Sequence, residues 1–189
     1  MQEFIYHMVP KELMGDNLIP LNSLKKFYPH LYSEYTKKYL NHPERPNLLK
    51  REIPQLNCLW NDVVHFLPLH PSHVYKALKS LEIKIREEQP FFKIPIENLK
   101  LNKNALYLYA KEKYNGPAGE IDEDQIKLLH IEDYTALKEI PSDTIEYYKV
   151  EKEKGNQFGL FPYIPHLLSR GGVYIKDVEI ITWNRFSDD

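Results

Sequence analysis

Glycine is scarce in this 189-residue chain, with seven in all against fourteen prolines. Neither G-x-G-x-x-G nor G-x-x-x-x-G-K-[ST] occurs. A Rossmann crossover and a P-loop, which both need glycine where backbone approaches phosphate, are therefore disfavoured. Cysteine is nearly absent. Cys58 stands alone, which excludes an intramolecular disulfide and suits a reducing compartment. No apolar run approaches the ~20 residues that span a bilayer. The opening MQEFIYHMVP carries an acid and no apolar stretch of signal-peptide length. Charge of one sign is also missing: 25 Lys and Arg face 27 Asp and Glu, for a net charge of -2. Acids and bases alternate along the chain, which argues against a strongly electrostatic nucleic-acid binder. The expectation is a soluble, cytoplasmic protein without repeats or low-complexity segments.

What is present reads as α+β. The length suffices for one domain, 1–189, with its own core. Alternation in EFIYHMVP, stopped by Pro10, predicts a first strand over 3–9. Leu24, Phe27, Leu31, Tyr35 and Tyr39 share a helical face, with Asn22 or Ser23 as the cap and a break at Pro29. This belongs to a helical insert over 21–56. Trp60 is expected in the core and DVVHFL to form a buried strand over 62–67. A helix capped by Ser72 follows, presenting Val74, Ala77, Leu78, Leu81 and Ile85. FFKIPI and NALYLYAKE read as strands. An acidic, turn-rich segment over 115–143 should hold short helices at 122–129, begun by Asp122, and at 132–138. DTIEYYKVEKEKGN is compatible with helix or strand. FPYIPHLLSRGG reads as a connection, and VYIKDVEIITWN as one or two final strands. Together these predict a mixed or antiparallel central sheet with helices concentrated in the N-terminal half.

Three histidines, His65, His70 and His73, crowd the stretch DVVHFLPLHPSHVYKAL. Neutral imidazole is a good zinc ligand and three such ligands suit a catalytic metal. The spacing matches neither HExxH nor a finger pattern. The preferred reading makes His65 a partly buried strand residue and puts His70 and His73 on a solvent-facing turn. In NCLWND, Asn61 or Asp62 either caps a turn or reaches into a ligand cleft.

FIYHMVPKELMGDNLIPLNSL, with Tyr6-His7 on a first strand followed by GDNLIP, resembles the opening of the ADP-ribosyltransferase-like fold. That fold includes the poly-ADP-ribose polymerases, RNA 2′-phosphotransferases and DarT-type toxins. DVVHFLPLHPSHVYKAL and VYIKDVEIITW are similar to its later strands, so the resemblance covers about half the chain in pieces. It implies NAD as substrate, with no metal. His7 would contact the NAD ribose, Tyr6 would support the pocket, and His65, a catalytic candidate, would line it with the 68–73 loop; Asn61, from its own reading as a cleft residue, joins them as a cofactor-binding candidate. It also implies ADP-ribose transfer to a protein or nucleic-acid acceptor. A late-strand glutamate would polarise the ribose, with Glu179 first and Glu146, Glu120 and Glu123 as alternatives, although none stands in a distinctive motif. A phosphotransferase would instead need cations such as Arg45, Lys50, Arg51 and Arg170, each of which reads alone as a solvated surface residue. Two other classes stand beside this. One is a non-enzymatic binding module using Tyr28, Tyr32, Tyr35 and Tyr39 as a contact surface. The other is a metal-dependent hydrolase built on His65, His70 and His73.

Overall fold

Phe4–Met8 alternate until Pro10 stops them, and they form strand β1 in the computed structural model. The structure describes residues 2–40 and 45–185, with the side chains of 38–40 and of 45 outside the description. β2 (Asn17–Leu18) leads into α1 (Leu21–Phe27) and α2 (Pro29–Leu40). The break at Pro29 is where the sequence puts it. α1 begins at Leu21, with Pro20 rather than Asn22 or Ser23 at the cap position. The break turns Phe27 outward, 60% exposed, while Leu24 and Leu31 are buried. Phe27 thus leaves the face expected of it, and Tyr39 lies outside the described side chains.

A 3-10 turn over Arg45–Lys50 precedes the short hairpin β3 (Glu52–Ile53) and β4 (Cys58–Leu59). β5 (Val63–Phe66) follows, then α3 (Pro71–Ser80). His70, not Ser72, caps α3, its ring nitrogen accepting from Ser72 N. The helix stops before Leu81 and Ile85. β6 (Pro90–Pro95), β7 (Lys103–Tyr107) and β8 (Ile126–Leu129) are next, with α4 (Ser142–Lys154) after them. β8 occupies a segment read as helix, because it pairs with β7 from Ile126 to Leu129. The expected helix at 132–138 is reduced to a 3-10 turn over Ile131–Asp133. α4 ends at Gly155, whose left-handed φ of 68° lets its N–H reach back to Glu151 and Lys152 carbonyls. The connection expected at 161–172 contains β9 (His166–Arg170), and β10 (Val173–Tyr174) and β11 (Glu179–Thr182) complete the order.

The strands form two antiparallel sheets, β1-β6-β11 and β5-β9-β7-β8, with β10-β2 and β3-β4 as two-stranded additions. The large sheets meet where Tyr6 N donates to Leu67 O at 2.9 Å and Leu67 N to Tyr6 O at 2.8 Å. Apolar residues of both sheets, Ile5, Phe92 and Ile94 with Val64, Phe66 and Leu167, share one core. Val74 and Leu78 of α3 and Tyr148 of α4 pack with Tyr6, Phe91 and Trp183 in a second. A third joins Val63, Ala105 and Leu168 to Ile53 and Leu56 of the hairpin region. The architecture is α+β around antiparallel sheets.

Candidate functional site

His7 sits one residue beyond the seam between the sheets and His65 two residues before it, so two distant strands bring their imidazoles to one place. Both line a pocket of about 270 Å³. Pro10 and Glu12 to Met14 after β1, the α1 residues Leu21 and Leu24, and the turn residues Trp60 and Asn61 form much of its walls. Apolar walls with a few convergent polar groups are the ordinary make-up of a small-molecule site.

Asn61 is the one buried polar residue among the described lining residues. It is 3% exposed, and its buried Nδ2 has no hydrogen-bond partner. Leaving such a donor unmet costs ~1–3 kcal/mol, a cost that a ligand acceptor would offset. The turn that carries it is closed by Asp62, whose Oδ2 accepts from Leu59 N at 2.8 Å and Oδ1 from Asn22 Nδ2 at 2.8 Å. The two readings of NCLWND therefore divide between neighbours: Asp62 caps the turn and Asn61 faces the pocket. Trp60, expected in the core, is only partly buried. Its ring lies 4.4 Å from that of His65, centroid to centroid, and carries the Arg51 guanidinium on a face at 4.8 Å.

The pocket's electrostatics are quiet. Burial lowers the His7 pKa from 6.5 to about 4, a backbone hydrogen bond at Met8 pulling weakly the other way. The ring is neutral at pH 7, and beyond that Met8 contact its buried Nδ1 has no partner. Its edge meets Phe66 at 5.7 Å. Glu12 is the one carboxylate among the described lining residues. Its backbone is clasped by Tyr35, whose hydroxyl donates to Glu12 O at 2.7 Å and accepts from Glu12 N at 3.4 Å. Sequence reasoning missed Glu12, Leu13 and Met14 and named Tyr35 only for a contact surface; the available signal was Gly15, at a φ of 73°, between Pro10 and Pro20.

The other residues singled out from sequence fall elsewhere. Tyr6 points to the opposite side of β1, 7% exposed in the second core, with its ring edge 5.1 Å from His70. It supports the pocket through the backbone pair with Leu67, not by lining it. Glu179 is on β11, paired with Lys93 at 3.1 Å and away from the pocket walls. Glu146 is engaged by Lys111 at 2.6 Å. His70 caps α3 and His73 lies within it. Among the described residues no three His, Cys, Asp or Glu side chains gather as metal ligands, so His65, His70 and His73 do not converge. Tyr28, Tyr32 and Tyr35 are half-buried rather than a displayed surface.

Behind the same 57–62 segment runs an open groove of about 1140 Å³, lined by Lys50, Arg51, Arg170, Glu52, Glu120 and Glu123 among others. Arg51 is 8% exposed, not solvated as expected, and its Nε donates to Gly119 O at 2.8 Å. Arg170 donates to Leu56 O at 3.2 Å. A second half-buried histidine, His166 on β9, was also missed. Its Nδ1 lies 2.6 Å from Ile164 O, and burial lowers its pKa to about 4.

Compared with protein-family models, curated proteins and solved structures, the chain has no match.

Proposed function

We propose that the pocket at the seam receives the nicotinamide-ribose end of NAD, and that the protein transfers ADP-ribose to a macromolecular acceptor. The observation that carries this is the meeting of His7, Asn61 and His65 in one pocket, three of the five candidate NAD-site residues, Tyr6 and Glu179 lying outside its walls. The volume suits part of a dinucleotide and not the whole, so the adenylate half would lie outside it. Asn61 Nδ2 supplies a donor for a carboxamide or ribose oxygen, and the rings of His7, His65 and Trp60 offer flat contact.

In this reaction the bond from ribose C1′ to the nicotinamide nitrogen breaks, and its electron pair leaves with neutral nicotinamide. An oxocarbenium-like carbon remains, and an acceptor nucleophile forms the new bond to it and loses a proton. The enzyme's work is to hold the sugar, exclude water and set negative charge near the cation. Glu179 shares the Tyr6 face of its sheet through Lys93 and does not line this pocket, so in this reading the charge comes from Glu12.

The test is thermal unfolding with and without millimolar NAD, run on the parent, His7→Ala and Asn61→Ala, with nicotinamide release assayed in parallel. NAD at ~100 times its dissociation constant adds about 2.7 kcal/mol, a shift of several degrees. The expected result is a shift in the parent that shrinks in both variants. No shift in the parent would sink the reading.

A further inference from the structure

We infer that Asn22 and Asp62 are positioning residues for the pocket: their hydrogen bond fixes the aim of the Asn61 amide and the separation of the two walls between which a ligand sits. This rests on reading the pocket as the ligand site. Asn61 lies on a three-residue 3-10 turn, Trp60–Asp62, between β4 and β5. So short a turn has little internal hydrogen bonding to hold it. Asp62 supplies what is missing. One carboxylate oxygen takes the Leu59 N–H and closes the turn, and the other takes the Asn22 amide from α1, each at 2.8 Å. Both hydrogen bonds are charge-assisted, the stronger and more directional kind. With its two oxygens engaged in different directions, the carboxylate is held to one orientation, and residue 61 is held between two fixed neighbours.

Asn22 belongs to the helix that forms the facing wall. Leu21 and Leu24 line the pocket on that side, and Trp60 and Asn61 on the other. α1 is seven residues long, has no side-chain cap at its N-terminus, and buries only Leu24. Asn22 Nδ2 to Asp62 is the one side-chain hydrogen bond that α1 makes among the described residues. The wall-to-wall distance is therefore set by a polar tie at one point, two residues from the apolar anchor. The tie ends on the residue next to the unmet donor, so releasing it frees the α1 wall and the Asn61 side chain together.

The experiment follows the Asn61 side-chain amide by 1H–15N correlation, identifying its signals by their loss in Asn61→Asp, and titrates NAD into the same samples. The variants are Asn22→Ala, which cuts the tie and leaves the Leu59 cap, and the double variant Asn22→Asp/Asp62→Asn. In the double variant carboxylate and amide change sides, and the new amide oxygen still accepts from Leu59 N–H. Backbone signals in the same spectra report that each variant is folded. In Asn22→Ala the Asn61 signals should move or split and NAD should bind about tenfold more weakly. The double variant should return both towards the parent, a rescue that a merely structural loss would not give. Unmoved Asn61 signals in Asn22→Ala overturn the inference. So does parent-like NAD affinity in Asn22→Ala where Asn61→Ala loses binding, and there the NAD reading survives. A parent that takes no NAD while the Asn61 signals move and recover as described ends the NAD reading and leaves the positioning role standing.

Discussion

His7 and His166 each have a pKa lowered from 6.5 to about 4 by burial. The unfolded chain takes up protons on both as pH falls below about 6.5, while the native state refuses them until about 4. Their contribution is therefore fully present above the unfolded value and is lost progressively as pH falls through that window. At 1.36 kcal/mol per pKa unit the loss is on the order of 3 kcal/mol per histidine. Urea midpoints measured between pH 7 and pH 4 should fall steeply below about 6.5, and His166→Gln should flatten part of that slope. A slope unchanged by the substitution would mean that the imidazole is not held neutral. At this scale the sequence was legible in types and not in environments. His7 and Asn61 were named from their neighbours along the chain. Glu12 was not, and Tyr35 was named only for a contact surface, because what gives them this role is a clasp between residues 23 positions apart.

Among the elements, α4 shows what decides between helix and strand. DTIEYYKVEKEKGN mixes β-branched and aromatic residues with helix-forming Glu and Lys, so its local preference is divided. Thr144 and Tyr148, one turn apart, are both buried, and Gly155 supplies the left-handed stop. A Cβ added at Gly155 would meet nothing within 4 Å, which leaves backbone strain as the whole cost of a substitution. Gly155→Ala should lower stability by ~1–2 kcal/mol and leave the pocket untouched, a result readable from denaturant midpoints. A cost near zero would show that the helix end adapts. β9 was hidden for a different reason. Pro162, Pro165 and the pair Gly171-Gly172 punctuate its flanks and made HLLSR look like part of a loop. Yet Leu167, Leu168 and Ser169 are wholly buried, because β5 and β7 close on both edges of the strand. A five-residue central strand carries little alternation to read. Its identity comes from partners that the local sequence does not display.

Across the molecule, what holds the halves of the pocket together is non-local. Among the described residues the two sheets are joined by one backbone pair, Tyr6 with Leu67, over their shared apolar core, and every strand bearing a pocket histidine pairs with sequence far downstream: Ile5 with Ile94, His65 with Leu168. The class of fold could be read from alternation and punctuation, but the seam could not, since nothing near residue 6 specifies residue 67. Such long-range pairing slows folding, because the chain closes large loops before any contact offsets the entropy lost. Refolding followed by tryptophan fluorescence should be in the millisecond-to-second range typical of β-rich topologies, and a microsecond phase carrying the full amplitude would contradict the topology. The pairing also has a consequence on the ribosome. At ~5–20 residues per second, the strand bearing His65 emerges several seconds before the β9 residues that pair with it. For that interval its apolar neighbours Val63, Val64 and Phe66 have no β9 edge to pair with. A nascent chain of this kind is a natural client for a chaperone that shields short apolar strands, and its yield in the cell should track the speed of translation between those two segments.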